Sequence, residues 1–108
     1  MTELEQLEIQ KKSNLDFIKR KELVERLQNN REFKKVILED FCEKECAAYA
    51  KASADPNLSA EDRADALALA QAAGHLQRYL HVAIRMGVAA ENQMAELDKT
   101  IDEVRANG

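Results

Sequence analysis

The chain has 108 residues, 45 % hydrophobic and 33 % charged, with 20 acidic against 16 basic side chains and a net charge of −4. Three glycines, one proline and no strand-like alternation exclude a substantial sheet, so the fold class is all-α. Charge is evenly spread, with six acids and six bases in residues 1–30, six and five in 31–58 and eight and five in 59–108, and no segment forms the basic surface that phosphate neutralisation requires.

A single helical domain over 1–108 is expected, with three helices in a hairpin or bundle and a long C-terminal helix. Aromatic residues make up only 5 % and alanine supplies much of the apolar count, so the core is expected to be thin and thickened by self-association. The first helix is predicted over about 2–28. Its apolar stripe reads Leu4, Leu7, Leu15, Ile18, Val24 and Leu27, with eleven-residue steps from Leu4 to Leu15 and from Leu7 to Ile18. Glu8/Lys12, Asp16/Arg20 and Glu22/Arg26 lace its outer face at i,i+4 spacing. Lys19, Arg20 and Lys21 form a small basic cluster, read as a solvated helix face. No apolar run here has the length of a signal peptide or membrane span, and a soluble intracellular protein with neither membrane nor nucleic acid as partner is expected.

Asn29 and Asn30 interrupt the pattern, and Asn29 with Glu32 resembles a capping box opening a second helix over about 31–54. On α-helical spacing, Phe33, Val36, Ile37, Phe41, Ala48 and Ala52 share its apolar face, with Leu38, Cys42 and Tyr49 to one side. This is the helix expected to be best buried. The same spacing turns Cys46 towards the flank of Lys35 and Glu39, nearer solvent than Cys42. Two cysteines four apart on a helix are poor disulfide partners, and neither His75 nor His81 is placed to complete a metal site with them. Both read as packing or surface thiols of a reducing compartment; the competing reading is a metal or redox switch at Cys42 and Cys46, with Lys44 and nearby His residues contributing.

Ala54-Asp55-Pro56-Asn57 is the strong turn signal, because proline disfavours the helical conformation at Asp55. Ser59 then caps a third helix, predicted over about 60–105, with Asp62 at N3 and Glu61, Asp62 and Asp65 at its positive end. A helix of some 45 residues is roughly 67 Å long. Apolar or small residues recur along it at three- and four-residue steps: Ala66, Leu69, Ala73, Leu76, Leu80, Ala83, Gly87, Ala90, Met94, Leu97, Ile101 and Val104. The flanks of the first half are also apolar, with Ala70, Ala72, Tyr79, Ile84 and Met86, so this half is expected to be bundled with the first two helices. From Glu91 onward the flanks turn polar, and the second half reads as a narrow coiled-coil seam in want of a partner. The oligomer interface is accordingly predicted at Leu80, Ala83, Gly87, Ala90, Met94, Leu97, Ile101 and Val104, with small residues at Ala83, Gly87 and Ala90 admitting close approach.

No phosphate-binding glycine loop, zinc-protease helix, nucleophile elbow or paired CxxC is present. Carboxylates lie along solvent-facing positions, and His75 and His81 are the only side chains that ordinarily titrate near neutrality. The expectation is a protein that is not an enzyme, with no catalytic residue, no cofactor and no metal.

The run NREFKKVILEDFCEKEC (residues 30–46), followed by a turn, an acidic helix start and GHLQRYL (residues 74–80), resembles small all-helical proteins encoded by tailed bacteriophages. The resemblance covers roughly residues 20–97 and carries no functional motif; Cys42 and Cys46 depart from the bulkier or aliphatic residues of its pattern. Genes for such proteins tend to lie among virion-assembly genes. The resemblance therefore implies a structural or assembly role, in the bacterial cytoplasm or the virion. Self-association as a homo-oligomer is the leading expectation; the alternative is a small adaptor or inhibitor that binds a host protein, or another phage protein, through its apolar helix face.

Overall fold

The computed structural model describes residues 1–108 and contains three helical spans and no strand. Helix α1 runs over Glu3–Gln28, the second span is a composite of α2 (Arg31–Phe33), a π-helix (Lys34–Glu45) and α3 (Cys46–Ser53), and α4 runs unbroken over Ala60–Asn107. The all-α class and the long C-terminal helix are as the sequence indicates.

The connections are local polar chemistry. The Thr2 hydroxyl accepts from the Glu5 amide at 3.1 Å, capping α1. Asn30, one residue later than the expected Asn29, caps α2: its Oδ1 accepts from the Phe33 amide at 2.8 Å. After Ser53 the chain turns on Asp55, whose carboxylate accepts from the Asn57 amide at 2.9 Å. The Ser59 hydroxyl accepts from the Asp62 amide at 3.0 Å and opens α4 where the capping pattern placed it.

The chain divides into two compact units, one formed by Met1–Glu25 with Val82–Gly108 and the other by Arg26–His81. Unit one is an antiparallel pair of α1 and the second half of α4. Three ion pairs run along it: Glu8 with Arg105 at 2.7 Å, Lys11 with Asp98 at 2.7 Å, and Lys21 with Glu91 at 3.1 Å. The expected bundling of the first helix with the first half of α4 is therefore corrected, because the partner of α1 is the second half.

In unit two the composite span packs on residues 60–81 of α4. Cys42, Cys46 and Ala73 form its buried cluster, with Ile37, Phe41 and Leu76 against it. The π-helix changes which residues face inward, because an i→i+5 ladder moves same-face neighbours from four residues apart towards five. Ile37, Phe41, Cys42 and Cys46 keep that spacing, whereas Val36, assigned to the buried face on α-helical spacing, is 56 % exposed. Cys46 is corrected in the same way, being 4 % exposed and more buried than Cys42 at 9 %. On the outer face Lys35 and Lys44 each reach both Glu39 and Asp40, and the shorter contact of each is the five-residue one, Lys35 to Asp40 at 3.0 Å and Lys44 to Glu39 at 3.3 Å. Nor is this the best-buried span, since α4 contributes seven of the ten buried hydrophobic residues.

Candidate functional site

Of the eight positions predicted as an oligomer interface, Leu80, Ala83, Gly87, Ala90, Leu97 and Ile101 are buried and Met94 and Val104 half-buried within the single chain. From Ala83 to Val104 the cover is α1. Its inward line is Leu4, Leu7, Lys11, Asn14, Ile18, Lys21 and Glu25, every one buried or half-buried and spaced three and four apart, as on α4. Leu15 and Leu27, assigned to the stripe by hydrophobicity, are 48 % and 42 % exposed. The eleven-residue reading of α1 thus gives way to a heptad ladder that includes polar residues.

Lys21 fixes the register, because its aliphatic stem lies on Gly87, where an added Cβ would overlap the Lys21 Cβ, Cγ and Cδ. Stepping outward from that contact sets Ile18 level with Ala90, Asn14 with Met94, Lys11 with Leu97, Leu7 with Ile101 and Leu4 with Val104. The small residues predicted to admit a second chain instead admit long side chains of α1. Lys21 buries its methylenes and carries its ammonium out between Glu25, at 2.6 Å, and Glu91, at 3.1 Å, which hold its pKa above 10.5, with the Glu25 hydrogen bond the larger cause. Asn14 is 7 % exposed and its Nδ2 has no hydrogen-bond partner. Such an orphaned amide costs about 1–3 kcal/mol. Lys11, Asn14 and Lys21 fall outside any stripe defined by apolar residues alone, and their three- and four-residue spacing is the sequence signal that places them on the ladder.

The two thiols of unit two are both free and buried. The Cys46 thiol donates to the Leu69 carbonyl oxygen at 3.6 Å, and burial pushes the Cys42 thiol above 9.0, with Cys46 and Glu43 adding to the shift. Low exposure at both, and the raised pKa at Cys42, disfavour the reactive thiolate. His75 and His81 are exposed, and no group of three or more His, Cys, Asp or Glu side chains is placed to hold a metal ion. No helix is long and apolar enough to cross a membrane.

Apolar surface remains open in both units. No large side chain is fully enclosed, while Leu67, Leu69 and Tyr79 of unit two and Ile9, Met86 and Val88 of unit one are between 42 % and 62 % exposed. Leu69, which the apolar spacing places on the seam, is thus turned outward. Between Ala66 and Ala90 the only charged side chains are Arg78 and Arg85. No protein-family model, curated protein or solved structure matches the chain.

Proposed function

We propose that this protein is a non-enzymatic structural or assembly component that acts by helix–helix self-association, as a virion or morphogenesis protein of a tailed bacteriophage. The observation that carries the reading is the apolar surface that α4 leaves open in each unit, Leu67, Leu69 and Tyr79 in one and Met86 and Val88 in the other, beside two thin helix pairs with no fully enclosed large side chain. A helix that is apolar on most sides belongs in an interior, and here further helices must supply it. The seam residues Ala83 to Val104 retain a structural role, holding α1 on α4, and self-association uses the surface left open. The phage setting rests on the sequence resemblance of residues 20–97. Two differently tagged copies co-expressed in a bacterium are expected to co-purify, and particles of a phage encoding the chain are expected to contain or require it. Failure of the tagged copies to co-purify would remove the reading.

A further inference from the structure

In unit two α4 carries a second line at helical spacing, Ala68, Ala72, His75 and Tyr79, on a side turned away from the buried Ala66, Ala73 and Leu80. None of the four is an aspartate, glutamate, lysine or arginine. Ala72 is half-buried, Ala68 and His75 are exposed, and Tyr79 is 62 % exposed. We propose that this line is the contact with a second copy of the chain, laid antiparallel about a two-fold axis between Ala73 and Gly74. The proposal rests on the self-association reading and specifies the surface it uses.

A second copy is singled out because the line complements its own reversal. In the antiparallel register Tyr79 falls level with Ala68 of the second copy, and His75 with Ala72 of the second copy. Large meets small at each position, and the two-fold repeats each contact. Charge gives the same answer. Asp65 continues the line towards the start of α4 and Arg78 flanks it, and neither side chain forms a hydrogen bond or ion pair within the chain. The antiparallel register sets each Arg78 level with Leu69 of the other copy, four residues and about 6 Å of rise from Asp65 of that copy, a separation the arginine side chain spans. Parallel pairing would instead set Tyr79 on Tyr79, Asp65 on Asp65 and Arg78 on Arg78, like against like.

Charge reversal in the full-length chain tests this, with association followed by sedimentation velocity and folding of each variant checked by circular dichroism. Arg78→Glu alone and Asp65→Arg alone each turn two attractive pairs repulsive, and each is expected to weaken association by about tenfold. An equimolar mixture of the two single variants restores both pairs and is expected to associate within about twofold of the unsubstituted chain, as is the Arg78→Glu, Asp65→Arg double variant. Tyr79→Lys, which keeps a helix-compatible surface residue, is expected to weaken association at least as much as either charge reversal. Association unchanged by Tyr79→Lys and by both reversals overturns this surface while leaving self-association standing. Weakened single variants that the mixture fails to rescue overturn the antiparallel register. An unsubstituted chain that is monomeric at tens of micromolar overturns both this surface and the reading beneath it.

Discussion

Two glycines inside one helix give a controlled test of the α1–α4 pairing. Replacing a helix-interior glycine by alanine gains about 1 kcal/mol from helix propensity wherever the methyl group has room. At Gly74 an added Cβ meets nothing within 4 Å, so Gly74→Ala is expected to collect that gain. At Gly87 the added Cβ overlaps Lys21 from Cβ to Cδ, and the Lys21 Cβ is fixed to the α1 backbone and cannot swing aside. The helices must part locally, and overpacking of this kind costs about 1–3 kcal/mol. Set against the propensity gain, Gly87→Ala is expected to be destabilising by about 1 kcal/mol, a separation of about 2 kcal/mol between the two variants. Thermal unfolding followed by circular dichroism should place their midpoints on the order of 10 °C apart. If both substitutions stabilise equally, the Lys21 stem does not lie on Gly87 and the ladder register is wrong.

The remaining expectations concern the buried polar and thiol groups. Asn14→Leu removes the orphaned amide and is expected to raise stability by about 1–2 kcal/mol in urea unfolding; a loss of stability would show that the amide is paired. Thiol labelling at neutral pH should be slow at both cysteines until the chain is unfolded, with Cys46 no faster than Cys42. Rapid reaction at Cys46 alone would restore the α-helical register over Lys34–Glu45. Because the folded state holds the Cys42 proton more tightly than the unfolded state does, stability is expected to decline as pH rises past the ordinary thiol value of 9.0. Cys42→Ala should remove that part of the decline, and an identical alkaline slope in both proteins would show that the thiol contributes none of it.

The sequence carried the class, the turn at Asp55 and Pro56, the Ser59 cap and the extent of α4, because each depends on local chemistry: proline geometry, a hydroxyl accepting a backbone amide, and an apolar period that nothing interrupts. It also marked the seam from Ala83 to Val104 as buried. What it missed was the identity of the cover. The ladder of α1 contains Lys11, Lys21 and Glu25, whose stems pack while their charged ends reach solvent or a partner, and the buried Asn14, so a stripe defined by hydrophobicity runs instead to exposed Leu15 and Leu27. The π-helix was hidden for a different reason. A 3.6-residue period and a ladder with i→i+5 bonds share most of their inward positions over this span, Phe33, Ile37, Phe41 and Cys42 among them, and the two part at Val36 and Cys46.

Solution mass tests the central claim, that the chain acts through association with further helices. Static light scattering over a concentration series up to tens of micromolar is expected to give twice the 12.2 kDa chain mass or more, falling towards the single-chain value on dilution. A mass that stays at 12.2 kDa throughout, with α4 helical and its exposed apolar side chains in water, would contradict it.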